Sequence, residues 1–572
     1  MTDVRCLLLR GQIDGLHSVG IKAPVYLSAA WDEQAPQTHP EWRIVSPEGT
    51  LPQSRNEPTG WAFLDFSTPY LDYLCRQVEE VMRSYGDGDG IFLDISFQMP
   101  TVSAAARTKM DALGLDGTSP LDRDTFLDRS TEAYYEAVKA AVHRHDPRMP
   151  LFFNAGHVRR GQRVHDRRFY SHLELESLPT AGWGYDHFPL SARYVDPIGF
   201  DFLGMTGKFH FTWGEVGGYK RPEALVYECG AIIALAYRFV EAREPWCLGS
   251  VNRADIGLLS LQSVEAPAAG GGSDRDSVAD DGASRILLEA GLTFDVLDLD
   301  SDFAPYRLLI LPDAVPVDEA LRLRIERYAE EGGRVLLTGR SGIDPERGFV
   351  FDLGARWHGT SPMTGGDYLL PIAPLQADGI DQPMFMYQPS ERITVTDGLS
   401  LGAIHEPYFD RTPRHFSGHI HAPSRPDASA YHAGVQKGNF IYLAHPVFGI
   451  YHQVGAVRML EMTERAIAFA LGGETLISTS LPRAGRVTVR SQPEQARDVI
   501  HLLHATPALR GQLWEANIQP IQDITPLFDI AVSLKTASPV STIRSVPAGD
   551  DLSFTEADGT VHFTLPRLDG MR

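Results

Sequence analysis

The chain has 572 residues, of which 43% are hydrophobic and 22% are charged, and its formal net charge is -22. This length is too great for one hydrophobic core, so we expect two to four domains of a soluble globular protein. The acidic balance argues against a nucleic-acid partner, because binding to phosphates needs a basic patch.

The cysteines and the N-terminus give no sign of secretion. The four cysteines lie far apart, which suggests neither a disulfide framework nor a CxxC metal site. The first twelve residues, MTDVRCLLLRGQ, lack the apolar core and the cleavage site of a signal peptide. No apolar run approaches the roughly 20 residues that span a bilayer. We therefore expect a cytoplasmic protein with no membrane partner.

Strands and helices alternate through residues 1–249, which we predict to be one domain. The predicted strands are 23–31, 90–97, 150–156, 171–177 and 201–207, and helical patterns cover 6–20, 68–85 and 123–145. This alternation predicts a parallel sheet of the (β/α)8 TIM-barrel type. Such barrels keep their chemistry at the C-terminal ends of the strands. Polar residues lie there in this sequence: Asp94, Asn154, Glu174, Glu176 and Thr206.

The predicted barrel is short. Five strands are clear before residue 249, with PWCLGS (245–250) as a sixth candidate, whereas a closed barrel needs eight. We expect a barrel domain that is short at its N-terminus and lacks strands, which would leave unpaired sheet edges.

Two further domains are predicted after this one. A polar loop at 264–282 precedes strand–helix–strand patterns, so residues 250–472 read as an open, doubly wound α/β domain. Residues 473–572 contain short alternating strands with turn signals, which predict a small antiparallel β-sandwich.

The segment 171–193 carries the richest set of functional groups. Alternate side chains of a strand share a face, so His172, Glu174 and Glu176 point one way and are costly to bury unless they are paired or used. Trp183, Tyr185, Asp186 and His187 follow. Apolar ring faces beside hydrogen-bonding groups are what a sugar requires, so this segment predicts a carbohydrate site.

Cleavage of a glycosidic bond needs two carboxylates on opposite sides of the anomeric carbon. Asp94 and one of Glu174 and Glu176 end different strands of the predicted barrel and could supply them. A lone aspartate at a strand end is commonly structural, but the glutamate pair and the aromatic residues favour catalysis. The sequence does not give their separation, so retention and inversion both remain open.

Other segments add candidates with less specific signals. The glycine-rich segment 204–220 reads as a loop over the pocket, and Glu215 within it is as consistent with a solvated loop. His157 is a hydroxyl-binding candidate. The substrate-binding candidates are Trp31, Asn154, His172, Trp183, Tyr185, Asp186, His187, Lys208 and His210.

Three histidines, His415, His419 and His421, lie in the second domain. No carboxylate or cysteine falls at ligand spacing near them, so we predict no metal site. A loop that reaches an active site, either its own or a neighbour's, is the favoured interpretation.

Several motifs resemble a known family. GIKAPVYLSAAWDE, HPEW, DGIFLDISF, HLELESLPTAGWGYDHFP and GMTGKFHFTWGEVGGYK look like the barrel of the hypothetical glycosyl hydrolase 6 group, which includes the α-L-fucosidases of glycoside hydrolase family 151. DIGLLS, YRLLILPDA and EEGGRVLLTG resemble the β-galactosidase trimerisation domain, whose flavodoxin-like fold is shared with class I glutamine amidotransferases. An amidotransferase needs a nucleophilic cysteine on a strand-to-helix elbow, and no cysteine follows Cys247. We therefore expect this second domain to be structural and not an amidotransferase.

The resemblance implies a retaining α-L-fucosidase-like enzyme. Asp94 would be the nucleophile and Glu176 the acid/base, with Glu174 as the alternative, since Glu176 lies nearer the strand end. The partners implied are a glycoside or oligosaccharide substrate and further copies of the chain in a homo-oligomer, without a cofactor. Two alternatives stay open: a β-galactosidase-like glycosidase, and an inactive relative that serves as a carbohydrate-binding or oligomeric scaffold.

Overall fold

The protein is described by a computed structural model that covers residues 4–52, 60–156, 158–236, 244–264, 278–379, 381–513, 516–547 and 549–571. The chain divides into two compact units. Unit 1 holds Met1–Leu175 and Phe200–Phe202, and unit 2 holds Glu176–Gly199, Leu203–Glu265 and Asp276–Arg572. The three domains predicted above, 1–249, 250–472 and 473–572, stay a prediction.

All five strands predicted before residue 249 are present, and helices lie between them. The sixth candidate is wrong, because Pro245 to Cys247 lie in a helix. The elements are α1 (Val4–Ser18), β1 (Val25–Ser28), α2 (Ala35–Thr38), α3 (Tyr70–Ser84), β2 (Ile91–Asp94), α4 (Ala104–Ala112), α5 (Pro120–His143), β3 (Leu151–Phe153), α6 (Arg163–Phe169), β4 (Leu173–Ser177), α7 (His187–Val195), β5 (Phe202–Thr206), α8 (Pro222–Ala236) and α9 (Glu244–Cys247).

Unit 1 is built on a parallel sheet in the order β1-β2-β3. Leu93 and Phe153 are buried against aromatic residues of α3 and α5, such as Tyr70 and Tyr134. β4 and β5 form a sheet of two. Within the described residues, β1–β5 therefore form sheets of three and two strands rather than one closed sheet of eight. The packing of β2 in this apolar core fixes the position of Asp94, which is the last residue of the strand.

Unit 2 contains a seven-stranded sheet, and five of its neighbouring strands are parallel. Its strands lie in the order Leu399–Ser400, Gly434–Lys437, Phe440–Leu443, Arg334–Thr338, Leu308–Leu311, Ile256–Leu259 and Phe294–Leu297, of which the last five are the parallel ones. Helix α11 begins at Val278, so residues 278–282 are helical and not part of the predicted loop; residues 265–277 lie outside the described residues. The elements up to the fourth parallel strand are β6 (Val251–Asn252), β7 (Ile256–Leu259), α10 (Leu261–Val264), α11 (Val278–Glu289), β8 (Phe294–Leu297), β9 (Leu308–Leu311), α12 (Glu319–Glu330) and β10 (Arg334–Thr338).

A run of short antiparallel strands, which the sequence pattern did not indicate, separates β10 from the last parallel strand. The elements are β11 (Ile343–Asp344), β12 (Gly348–Phe349), β13 (Ala355–Thr360), β14 (Tyr368–Pro371), β15 (Met384–Phe385), β16 (Glu391–Val395), β17 (Leu399–Ser400), β18 (Gly402–His405), β19 (Gly434–Lys437), β20 (Phe440–Leu443), α13 (Val447–Val454) and α14 (Val457–Ala470).

The C-terminal part of unit 2 contains two antiparallel sheets whose buried residues share one apolar core. The first has the strand order Arg497–His504, Gly485–Gln492, Val251–Asn252, and the second has the order Ile477–Thr479, Leu527–Lys535, Thr560–Leu568, Phe554–Ala557. None of the helices in the described ranges is long and apolar enough to cross a membrane. The strands are β21 (Ile477–Thr479), β22 (Gly485–Gln492), β23 (Arg497–His504), β24 (Gly511–Leu513), β25 (Ala516–Ile518), β26 (Leu527–Lys535), β27 (Arg544–Ser545), β28 (Asp550–Asp551), β29 (Phe554–Ala557) and β30 (Thr560–Leu568).

Candidate active site

Asp94 ends β2 in unit 1, and three donors hold its carboxylate. The Tyr26 hydroxyl donates to Oδ2 at 2.5 Å, and the Asn154 amide Nδ2 donates to Oδ1 at 2.7 Å. The backbone N–H of Ile95 donates to Oδ1 at 2.9 Å, and Ile95 itself has a positive φ of 55°. Three hydrogen bonds of this kind fix the orientation of the carboxylate.

The register of the parallel sheet explains this arrangement. Tyr26 lies opposite Phe92, so alternation places Tyr26, Phe92 and Asp94 on one face of the sheet. The Tyr26 ring stacks on Phe92 at 5.7 Å. Asn154 follows β3, is 3% exposed, and accepts the Gly156 N–H at its Oδ1 at 3.1 Å. Sequence reasoning missed Tyr26, although the alternation in VYLS (25–28) already placed it on one face of its strand.

Glu174 and His172 form a pair in unit 1. His172 Nε2 lies 2.8 Å from Glu174 Oε1, and its Nδ1 lies 2.8 Å from the Ser171 hydroxyl. Leu173 and Leu175 on the other face are each 1% exposed, as the predicted alternation requires. The alternation is confirmed, and the imidazole holds one oxygen of Glu174.

Glu176 belongs to unit 2, where it meets the loop that follows β5. The indole Nε1 of Trp213 donates to Glu176 Oε2 at 3.3 Å. Trp213 is 44% exposed. Glu176 is therefore a half-buried carboxylate with one oxygen held by an exposed indole.

The aromatic candidates of unit 2 fall into two groups. Trp183 packs on His187 with ring centroids 4.7 Å apart. Tyr185 packs edge-on against Tyr227 at 5.8 Å, and its hydroxyl is buried. Burial raises the pKa of Tyr185, with a smaller contribution from the charge of Glu228.

Asp186 is engaged with two arginines of unit 2. Its Oδ2 accepts from Arg285 Nε at 3.0 Å and its Oδ1 from Arg486 at 3.0 Å. Burial alone would raise the pKa of Asp186, but the charges of Arg486 and Arg285 together outweigh it and hold that pKa below its usual value. With both oxygens occupied, the geometry favours a structural role for Asp186 over contact with a sugar.

The remaining candidates are placed as follows. Lys208 Nζ lies over the rings of Phe209 and Tyr219, at 5.6 and 5.5 Å. The backbone N–H of His210 donates to the Gly218 carbonyl at 2.7 Å. In unit 1, Trp31 stacks on Trp61 at 5.0 Å and meets Phe63 edge-on. His157 lies outside the described residues.

A buried ion pair in unit 2 was not predicted from the sequence. Lys220 Nζ donates to Glu228 Oε2 at 2.8 Å, and the two side chains are 2% and 1% exposed. Thr206, the last residue of β5, donates to the same oxygen at 2.5 Å. Burial raises the pKa of Glu228, and the charge of Lys220 opposes this effect. An acidic residue within the otherwise apolar segment ALVYECGAIIALA (224–236) was the available signal.

Two of the three histidines of the second predicted domain face aromatic neighbours. His415 stacks on Phe409 at 5.6 Å and His421 lies 4.0 Å from Phe385. No group of three or more His, Cys, Asp or Glu side chains in the described ranges could hold a metal ion.

Comparison with known proteins identifies the class. Residues 4–95 match the family described as hypothetical glycosyl hydrolase 6, and residues 285–360 match the β-galactosidase trimerisation domain. The structure is similar to that of α-L-fucosidase isoenzyme 2 from Paenibacillus thiaminolyticus, with a TM-score of 0.89 and 36% identity over 98% of this chain and 88% of that chain. Fold and site together define a glycosidase. The chain belongs to the hypothetical glycosyl hydrolase 6 group.

More distant relatives share the fold. The β-galactosidase from Bacillus circulans sp. alkalophilus matches with a TM-score of 0.66 and 12% identity over 99% of this chain and 90% of that chain. The β-galactosidase GanA of Bacillus subtilis (strain 168) is 26% identical over 139 residues, which is 23% of this chain. That match spans only 20% of the length of GanA.

Proposed function

We propose that this protein is a retaining glycosidase that hydrolyses α-L-fucosides. The observation that carries the proposal is the carboxylate of Asp94, held at a strand end by the Tyr26 hydroxyl and the Asn154 amide. The likeness to α-L-fucosidase isoenzyme 2 of Paenibacillus thiaminolyticus supports the choice of sugar.

The proposed reaction has two steps. Asp94 attacks the anomeric carbon, and the bond to the leaving oxygen breaks as Glu176 gives that oxygen its proton. Water then attacks the glycosyl-enzyme ester, Glu176 takes a proton from it, and Asp94 leaves as a carboxylate. Glu174, held by His172, is the alternative acid/base.

The finer assignments belong to the same proposal. Trp31, Asn154, His172, Trp183, Tyr185, His187, Lys208 and His210 remain candidates for sugar contacts. The parallel strand order β8-β7-β9-β10-β20 supports a flavodoxin-like fold for the second domain, and the shared core of two antiparallel sheets supports a C-terminal sandwich. The match to a trimerisation domain supports a homo-oligomer. A cytoplasmic location stays a prediction.

A panel of chromogenic aryl glycosides tests the substrate. We expect release of nitrophenol from nitrophenyl α-L-fucoside, and proton NMR of the first product should show the α-anomer. Release of the β-anomer first would refute retention. The matched control is Glu223→Gln, a change in an exposed ion pair with Arg221.

A β-galactoside is the second candidate, supported by the trimerisation-domain match and by the short match to GanA. Turnover of nitrophenyl β-galactoside without turnover of the α-L-fucoside would favour it. Sugar binding without turnover of any glycoside would favour the inactive scaffold.

A further inference from the structure

The loop between β5 and α8 is closed at its base by one buried carboxylate. Thr206 lies directly before this loop and Lys220 at its end, and both donate to Oε2 of Glu228, at 2.5 and 2.8 Å. Lys220 Nζ also lies 3.4 Å from the Thr206 hydroxyl. The carboxylate of Glu228 therefore joins the two ends of a segment of about a dozen residues, which we call the clasped loop (207–219).

The Lys220–Glu228 ion pair at the base of the loop is buried, so breaking it is costly. The Lys220 and Glu228 side chains are 2% and 1% exposed, so each charge depends on the other for compensation. The second oxygen of Glu228 is buried and has no hydrogen-bond partner among the described residues. Breaking the pair leaves an uncompensated buried charge, which is far more costly than losing an exposed ion pair.

The clasped loop is regular above this junction. The Lys220 N–H donates to the Lys208 carbonyl at 2.9 Å, Phe209 and Tyr219 form a β-bridge, and His210 N–H donates to Gly218 at 2.7 Å. These backbone pairs connect the base of the loop to its tip. The position of the tip therefore depends on the hydrogen bonds that Glu228 accepts from Thr206 and Lys220.

The tip of the clasped loop is braced by a second carboxylate. Glu215 Oε2 accepts the Phe211 N–H at 2.6 Å. A Cβ atom at Gly218 would lie 2.8 Å from the Glu215 carboxyl, so the two sides of the loop approach closely here. The braced tip includes Trp213.

Trp213 connects the clasped loop to Glu176. Its indole ring lies so close to the backbone at Gly207 that a Cβ there would be 3.0 Å from the ring. Its Nε1 donates to Glu176 Oε2 at 3.3 Å. A chain of contacts therefore runs from Glu228, through the clasped loop, to the proposed acid/base.

We propose that Glu228 is a positioning residue: by clasping Thr206 and Lys220 it holds the indole of Trp213 against the carboxylate of Glu176, and so orients that carboxylate to protonate the leaving group. This inference rests on the proposed function, because it assumes that Glu176 is the acid/base. Glu228 itself touches neither the sugar nor the reacting atoms in this scheme.

The test compares leaving groups, because protonation matters for a poor leaving group and little for a good one. We expect Glu228→Gln and Trp213→Phe each to lower kcat/KM about tenfold on phenyl α-L-fucoside and less than about twofold on nitrophenyl α-L-fucoside, because kcat/KM reports the first step, in which the leaving group is protonated. The double variant should be no worse than Trp213→Phe alone, because both changes act on one contact.

An equal loss on both substrates, or multiplied effects in the double variant, would overturn the positioning role. Glu223→Gln, whose ion pair with Arg221 is exposed, is the matched control and should behave as wild type. If Glu228→Gln does not fold, Lys220→Met with Glu228→Met removes both buried charges and serves in its place.

Hydrogen exchange separates this inference from the proposed function. Faster exchange across residues 207–219 in Glu228→Gln, with α3 unchanged, is expected whatever Glu176 does. Unchanged exchange would show that Glu228 does not hold the two ends of the clasped loop together. If Glu176→Ala keeps the wild-type ratio of kcat/KM between the two substrates, Glu176 is not the acid/base. The exchange result would still show whether Glu228 holds the ends of the clasped loop together.

Discussion

The amide Nδ2 of Asn154 donates a hydrogen bond of 2.7 Å to Oδ1 of Asp94, which joins the residue after β3 to the last residue of β2. Asn154 in turn is 3% exposed and accepts the Gly156 N–H. A buried amide that is itself held in place is well suited to orient a reactive carboxylate.

Replacement of Asp94 by alanine should remove activity. We expect kcat on nitrophenyl α-L-fucoside to fall at least roughly a thousandfold, because no nucleophile remains to form the glycosyl-enzyme. Added azide should restore part of the rate by attacking from the vacated side. A variant that kept most of its rate, with an unchanged circular dichroism spectrum, would disprove the nucleophile assignment.

Removal of the groups that hold Asp94 should have smaller effects. Asn154→Ala and Tyr26→Phe each delete one donor to the carboxylate, so we expect kcat to fall about tenfold to a hundredfold with a smaller change in KM. Steady-state kinetics on nitrophenyl α-L-fucoside would show this. Equal kcat in wild type and both variants would mean that these bonds do not orient the nucleophile.

Phenyl and nitrophenyl α-L-fucoside, which differ in leaving group, can show whether Glu174 or Glu176 is the acid/base. We expect Glu176→Ala to lose about a hundredfold or more in kcat/KM on phenyl α-L-fucoside and much less on the nitrophenyl compound, because kcat/KM reports the first step, in which only the poor leaving group needs the proton. Glu174→Ala is the matched control on the same strand. The reverse pattern would assign the acid/base role to Glu174.

The ion cluster around Asp186 should matter for stability. Asp186→Asn leaves Arg285 and Arg486 without their shared carboxylate, and because the cluster is partly exposed we expect a loss of about 2 kcal/mol in the free energy of unfolding. Urea denaturation would measure this loss, and KM should stay near the wild-type value. A raised KM with unchanged stability would instead indicate that Asp186 binds the sugar.

The buried carboxyl of Asp295 should make stability depend on pH. Burial, as the main cause, raises its pKa from 3.8 to about 6, although Asn252 and Tyr306 donate to it. Between pH 4 and 6 the unfolded state ionises first, so rising pH favours unfolding, by up to roughly 3 kcal/mol for this one group.

Asp295→Asn isolates that contribution, because asparagine keeps the shape and cannot ionise. The difference in urea midpoint between variant and wild type should grow in favour of the variant as the pH rises from 4 to 6, and then stay constant. Asp300→Asn, at an exposed neighbouring position, is the control. A difference that does not change with pH would refute the raised pKa.

The local sequence pattern was sufficient to locate Asp94 and the two glutamates. The run IFLD (91–94) is an apolar strand with an acid at its end, and the alternation HLELE (172–176) buries the leucines while the acids stay half-buried. The strands themselves followed from periodicity, because side-chain alternation is a property of each strand and needs no distant partner.

The partners of these side chains were decided only by tertiary structure. Asp186 meets Arg486, which lies 300 positions further along the chain. Glu176 meets Trp213 in a loop whose flanking residues both donate to Glu228. Periodicity states which face of a strand is buried, but it does not state which distant segment covers that face. The sequence therefore determined which residues could do chemistry, and the packing of remote segments decided which of them are held by a partner and which partner that is.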